Sequence, residues 1–117
     1  MRESKDGNDF RIRVVTLIVN YEPEKALELL ADHYRVSVPD LRIQSIRGHS
    51  KSIAVYSYKN STINVSCREE LYNPHTILHE FYHHLRASKV GGKVQVERRA
   101  DLFALDFIRD FRYVSGS

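Results

Sequence analysis

Four of the six histidines in this sequence lie within twelve residues, HTILHEFYHHLR, at positions 75–86. Inside that stretch His79, Glu80 and His83 form an HExxH pattern. On a helix, His79 and His83 lie about one turn apart, so both imidazoles can face one metal ion. Glu80 is offset by about 100° around the helix axis, which puts its carboxylate beside the ion, where a base must stand to take a proton from water. The spacing therefore predicts a metal site with Glu80 as general base.

The same pattern has a simpler interpretation, which the sequence leaves open. Glu80 and His84 are four residues apart and would form an ordinary ion pair on an exposed helix face. His84 is expected to face away from His79, as a surface or capping residue. His75 lies one turn before His79, where it either borders the site or is exposed in the first turn of the helix. A metal site at these two histidines therefore requires a further ligand from elsewhere in the chain.

A catalytic zinc ion takes three protein ligands and keeps one position open for water. No histidine follows His84, so the third ligand must be a carboxylate downstream. Glu97 and Asp101 share one face of the last predicted helix, and Ala100 and Ala104 beside them permit that helix to approach the first. By themselves the two acidic residues would be read as a solvated face. Together with HExxH, they predict Glu97 as the third ligand and Asp101 as acceptor of the outer N–H of a ligating histidine.

Two helices are predicted to carry these residues. Asn73 is suited to cap the first helix and Pro74 to occupy its first position, and Gly91-Gly92 should end it after about Lys89. The second helix is predicted over residues 94–113, with one apolar stripe formed by Ala100, Ala104, Phe107 and Phe111. The pair of helices should therefore face each other across the predicted metal site.

An antiparallel sheet of three to four strands is predicted upstream, over residues 41–66. LRIQSI at 41–46 and IAVYSY at 53–58 alternate apolar and polar residues, and residues 47–50 between them suggest a hairpin turn. A second turn at Asn60-Ser61 leads into TINVS at 62–66, where Asn64 and Ser66 should point away from the apolar face. This meander would pack on the HExxH helix in a small zincin-like α+β domain.

The N-terminal third is predicted to hold a flexible tail, a strand and a helix within the range 1–40. Residues 1–9 are polar, and the β-branched run RIRVVTLIV at 11–19 favours a strand with Arg11 and Arg13 on its solvated face. Pro23 then opens a helix whose apolar stripe is formed by Ala26, Leu27, Leu30 and Tyr34. With the sheet and the two helices at 73–113, we expect a single domain over residues 1–117.

Composition limits the classes of function. Residues that are hydrophobic make up 42% of the 117 and charged ones 28%, as in ordinary globular proteins. The net charge of +3 is spread among interspersed acidic and basic residues, which argues against nucleic acid as a partner. The longest apolar run, VVTLIV, is too short to span a bilayer, and one cysteine, Cys67, excludes an intrachain disulfide. We expect a soluble, cytoplasmic protein in which Cys67 is a buried thiol.

The HExxH pattern and the helix that follows it resemble the motifs of a known family. HExxH followed by an ExxxD helix, with the run ERRADLFALDFI and a strand containing INVS before the HExxH helix, is similar to the ImmA/IrrE family of small gluzincin-type metallopeptidases over residues 41–111. The resemblance implies zinc ligands His79, His83 and Glu97, with Glu80 as base, and a regulatory substrate such as a transcriptional repressor. The family usually has a small residue at the position of Tyr82.

The leading hypothesis is a zinc-dependent endopeptidase, in which metal-activated water attacks a peptide bond and Glu80 is the general base. The strand at 62–66, if it lies at the sheet edge, would hold an extended substrate, with Asn64 and Ser66 as candidate contacts. A tyrosine near the metal could stabilise the oxyanion, and Tyr72 and Tyr82 are nearest in sequence.

Two further classes of function stay open. The first is a non-catalytic, zinc-stabilised protein-interaction module, which would need the metal ligands but not Glu80. The second is a DNA-associated protein, which only the sequence pI of about 9.1 supports. Because Glu80 is present, the sequence favours the enzyme.

Overall fold

The computed structural model describes residues 2–44, 53–90 and 96–115, and the side chains of 9–44, 53–90 and 96–114. Within these ranges the chain forms an α+β domain, which confirms the predicted class. Its elements are α1 (Arg2–Val19), α2 (Pro23–Tyr34), β1 (Asp40–Ile43), β2 (Ala54–Ser57), β3 (Thr62–Val65), α3 (Arg68–Leu71), α4 (Pro74–Val90) and α5 (Glu97–Ser115). No helix in this described part of the chain has a stretch long and apolar enough to cross a membrane.

Helix α1 contradicts the predicted tail at 1–9 and strand at 11–19. Val14, Val15 and Ile18 are at most 1% exposed, and their spacing places them on one helical face that packs into the core. β-Branched residues favour strands only weakly, and tertiary burial of such a face outweighs that preference. Arg11 is part of the packing as well, because its guanidinium pairs with Asp110 of α5 at 3.0 Å.

The three strands form a mixed sheet in the order β1-β3-β2. β2 and β3 are antiparallel, joined by the turn predicted at Asn60-Ser61, but β1 runs parallel to β3. The predicted all-antiparallel meander is therefore wrong, and so is the hairpin between the first two strands, whose turn at 47–50 lies outside the described residues. Alternation in a sequence shows which face a side chain takes; it does not show which strand lies alongside or in what direction.

The helix that carries HExxH begins where its local signals predict. Asn73 accepts a hydrogen bond from the backbone N–H of His75 at 3.1 Å, and Pro74 occupies the first helical position. The helix continues to Val90, one residue beyond the predicted end. Helix α5 begins at Glu97 rather than at residue 94, which places Glu97 in its first turn. The short helix α3, between the sheet and α4, was not predicted.

Packing between α4 and α5 fixes the position of the candidate site. Ala100 and Ala104 of α5 are fully buried, as the predicted stripe requires, and their small side chains let the two helices approach each other closely. Phe81 of α4 and Phe107 of α5 are the largest side chains in the shared core, and both are at most 1% exposed. The sheet covers another side of α4 with Tyr56, Ile63 and Val65, so α4 is held between two layers.

Candidate metal centre

The two histidines of the HExxH pattern lie side by side on α4. Their ring centroids are 5.1 Å apart, and both side chains are largely buried, with 15% of His79 and 6% of His83 exposed. Phe81, between them in sequence, points into the core on the other side of the helix and is fully buried. Because the apolar residues of α4 fix its rotation, the imidazoles face the start of α5.

Glu97, in the first turn of α5, connects both histidines. Its Oε1 lies 2.8 Å from Nε2 of His79, and its Oε2 lies 3.2 Å from Nε2 of His83. One ligand atom from each of the three residues can be chosen so that all lie within 4.8 Å of one another. Two ligands that share a tetrahedral zinc ion at about 2.0–2.1 Å are separated by about 3.3 Å. The structure thus brings the three predicted ligands together as a group that could hold a metal ion.

Asp101 contacts the other nitrogen of the same histidine. Its Oδ1 lies 2.8 Å from Nδ1 of His79, whose Nε2 is 2.8 Å from Glu97. A carboxylate only accepts hydrogen bonds, and a neutral imidazole carries a single N–H. If Nδ1 donates to Asp101, the lone pair of Nε2 faces a carboxylate oxygen, and that contact needs either a second proton or a cation between the two atoms. The two contacts of His79 therefore leave a place for a cation at Nε2, with Asp101 as acceptor on the other side of the ring.

Glu80, the glutamate of the HExxH pattern, is a buried carboxyl group. Its side chain is next to the histidines but only 8% of the residue is exposed. Burial is the main reason that the pKa of Glu80 is raised from 4.5 to about 7; the charge of Glu97 adds to this rise, and His79 and a hydrogen bond from the backbone of Tyr56 partly offset it. A carboxyl group with a pKa near 7 can both accept and return a proton at neutral pH.

The raised pKa of Glu80 predicts a pH-dependent stability of the metal-free protein. Because its folded-state pKa of about 7 exceeds the ordinary 4.5, the stabilising contribution of the bound proton is complete below pH 4.5 and is lost as pH rises through 7. The Glu80→Gln variant carries a neutral amide at this position at every pH. Between pH 4.5 and about pH 8, the variant should therefore gain up to roughly 3 kcal/mol in unfolding free energy relative to wild type.

Urea unfolding of both proteins, with a chelator present, measures this difference. Burial lowers the pKa of His83 and that of His84, but both residues are present in the two proteins, so their contributions cancel to first order in the comparison. If the unfolding free energies of the two proteins differ by the same amount at every pH, the pKa of Glu80 is not raised in the folded protein.

Two tyrosines of the β2 segment contact α4, and the sequence did not single them out. The hydroxyl of Tyr58 lies 3.2 Å from Nδ1 of His83, and that of Tyr56 lies 2.7 Å from Nδ1 of His84. The alternating pattern at 53–58 was the available signal, because it places both rings on the same face of the strand. The two tyrosines nearest in sequence to the HExxH pattern have other contacts: Tyr72 packs against Tyr21, and Tyr82 against Phe103 of α5.

His84 is a buried structural residue, contrary to the prediction of a surface or capping histidine. Only 1% of it is exposed, and its Nε2 lies 2.7 Å from the carbonyl oxygen of Ser37. Since a carbonyl only accepts, Nε2 of His84 donates and its Nδ1 accepts from the hydroxyl of Tyr56. Its lowered pKa, caused mainly by burial, agrees with a neutral ring.

His75 borders the site. Its Nε2 lies 3.4 Å from Oδ1 of Asp101, and 42% of its side chain is exposed. With His79 and Asp101 it forms a second group of residues that can hold a metal ion. The two groups share His79, so a single ion has two alternative positions along α4.

The candidate substrate contacts Asn64 and Ser66 do not join the cluster. Asn64 alternates with the buried Ile63 and Val65 and so projects from the face of the sheet opposite to α4. Ser66 follows β3 and is exposed. Cys67, predicted to be buried, is exposed as well.

Comparisons with protein families, with curated proteins and with solved structures found no match to this chain. The resemblance to the ImmA/IrrE family therefore stays a prediction, carried by the HExxH and ExxxD residues. What the structure itself defines is a small α+β domain with a three-stranded mixed sheet, in which His79, His83 and Glu97 form a group able to hold a metal ion.

Proposed function

We propose that the chain is a zinc-dependent endopeptidase, with Glu80 as general base and with a regulatory protein, such as a transcriptional regulator, as substrate. The observation that carries the proposal is the convergence of Glu97 on both histidines, 2.8 Å and 3.2 Å from their Nε2 atoms, beside a buried Glu80. Two imidazoles and a carboxylate are a ligand set of catalytic zinc sites. The ImmA/IrrE resemblance is what suggests a regulatory substrate.

A zinc ion held by these ligands would supply Lewis-acid chemistry and bring the pKa of water to about 7. Glu80 would receive the proton from water entering the site and deliver it to the leaving amine of the cleaved bond. In the metal-free protein burial raises the pKa of Glu80 to about 7, and a zinc ion beside it would favour the ionised carboxylate, which is the form that accepts a proton from water. Asp101 would hold His79 by its Nδ1 and so keep Nε2 turned to the ion.

Strand β2 would hold an extended substrate by backbone hydrogen bonds. β3, which was expected to do this from a sheet edge, is the central strand and is paired on both sides. In β2 the carbonyl of Ile53 accepts from Ser66, so the backbone groups of the alternate residues Ala54 and Tyr56 point away from β3. The N–H of Tyr56 donates to Glu80, which puts that outer edge beside the proposed base and leaves the backbone groups of Ala54 and the carbonyl of Tyr56 to pair with a peptide. A peptide paired along it would lie next to the metal centre.

Zinc uptake and proteolysis together test the proposal. The purified protein should bind one zinc ion per chain and cleave an unstructured protein, and a chelator should abolish cleavage until zinc is restored. Zinc uptake without cleavage of unstructured proteins or transcriptional regulators would favour the alternative, a zinc-stabilised protein-interaction module. A chain that takes up no zinc would contradict both.

A further inference from the structure

We infer that Tyr58 is a positioning residue of the metal centre, which holds the imidazole of His83 with its Nε2 turned to the ion. The inference rests on the metal site of the proposed function. Tyr58 lies just after β2, and its hydroxyl is 3.2 Å from Nδ1 of His83, the nitrogen that faces away from Glu97. Tyr58 therefore contacts Nδ1 of His83 in the way that Asp101 contacts Nδ1 of His79.

The neighbouring pair provides an internal comparison. Tyr56 and Tyr58 lie on the same face of one segment, with ring centroids 5.0 Å apart, and they contact adjacent histidines of α4 through the same ring nitrogen, Nδ1. The two histidines differ in what their Nε2 faces. For His84 it is the carbonyl of Ser37, at 2.7 Å. For His83 it is the Glu97 carboxylate, at 3.2 Å, and the ion is predicted to lie on this side of the ring.

This difference determines the direction of each hydrogen bond. The carbonyl of Ser37 fixes the proton of His84 on Nε2, so Tyr56 is always the donor. In the metal-free protein, Nε2 of His83 faces a carboxylate, which only accepts, so a neutral ring should carry its proton on Nε2 and accept from Tyr58 at Nδ1. To ligate an ion, Nε2 must offer its lone pair, so the proton moves to Nδ1 and Tyr58 becomes the acceptor.

A hydroxyl group can serve both states because it donates and accepts. A carboxylate in the place of Tyr58 would support only the metal-binding tautomer, as Asp101 does at His79. Tyr58 therefore keeps its hydrogen bond to His83 whether or not the ion is bound.

The zinc affinities of Tyr58→Phe and Tyr56→Phe, measured by competition with a chromophoric chelator, test this role. Both substitutions remove one hydroxyl and leave a ring that packs in the same place. Loss of an outer partner of a metal ligand typically weakens binding 10–100-fold, so Tyr58→Phe should raise the zinc Kd by about that factor, and Tyr56→Phe should change it less than about threefold. Thermal unfolding of the metal-free variants verifies that both are folded.

Nitrogen-15 NMR of the histidine rings gives a readout that does not depend on affinity. In wild type, His83 should carry its proton on Nε2 without zinc and on Nδ1 with zinc, while His84 keeps its Nε2 proton in both states. Equal zinc affinities of wild type and Tyr58→Phe, or equal losses in the two tyrosine variants, would overturn the inference and leave the proposed peptidase intact. If the zinc affinities differ as expected and the wild type cleaves no substrate, the proposed peptidase activity is wrong and the role of Tyr58 stands. If the wild type binds no zinc, both the proposed function and the role of Tyr58 are wrong.

Discussion

Replacing Glu80 by glutamine should leave zinc bound and lower the rate of peptide cleavage by about 10²–10⁴-fold, the usual contribution of a general acid–base group. Glutamine has nearly the same size and fits the same buried position between α4 and β2. It cannot take a proton from water, so the step that activates the nucleophile loses its base. None of the three predicted ligands changes, and zinc content should stay at the wild-type level.

Glu28→Gln is the matched control, because it makes the same chemical change at an exposed position of α2. Zinc content and cleavage should be measured on the same samples of all three proteins. Cleavage by Glu80→Gln at the rate of wild type would mean that Glu80 is not the base. If the variant lost its zinc as well, Glu80 would have to be counted among the residues that hold the ion.

The burial of Glu80 connects this prediction with stability. A carboxyl group that is 8% exposed and has its pKa raised to about 7 is unfavourable in the metal-free fold at neutral pH, when it is ionised. Perturbed carboxyl groups of this kind cluster at functional sites, although structural networks also produce them. The same Glu80→Gln substitution is therefore expected to stabilise the metal-free protein and to remove its catalysis, which is the trade-off typical of a catalytic group.

Local signals in the sequence were enough to predict the two helices of the site. Asn73 and Pro74 act within one turn of the helix start, and they mark the beginning of α4 correctly. Spacing on a helix then determines which residues share a face, so His79 and His83 were expected together. Placing Glu97 opposite them needed one further assumption, that α5 packs on α4 through its alanines, and the burial of Ala100 and Ala104 agrees with it.

The errors lie where distant segments decide the structure. Val14, Val15 and Ile18 form a helix because their shared face is buried, and nothing within 11–19 shows what will cover it. The parallel direction of β1 depends on β3, about twenty residues further on. Tyr58 lies 25 residues from His83 in sequence, and only the packing of the sheet on α4 brings them together.

Replacing Glu97 by alanine should weaken zinc binding more than any change at an outer partner. Glu97 is the only carboxylate among the described residues that contacts Nε2 of both histidines, so its loss leaves two protein ligands. Asp101→Asn should cost about 10–100-fold, because it changes the acceptor that orients His79 without removing a ligand. Asp106→Asn, on the same helix but paired with Arg109, should have no effect. Competition with a chelator at constant pH gives the order of the three affinities.

The same series locates the ion if Glu97 is not a ligand. Among the residues that the structure describes, His75, His79 and Asp101 form the other group that can hold a metal, so an ion at that position would depend on His75 and not on Glu97 or His83. His75→Ala should therefore leave zinc affinity nearly unchanged if the ion lies between the HExxH histidines and Glu97. An unchanged affinity in Glu97→Ala together with a large loss in His75→Ala would move the ion one turn towards the start of α4. Glu80 would then no longer stand beside the metal, and the proposed mechanism would fall with the ligand assignment.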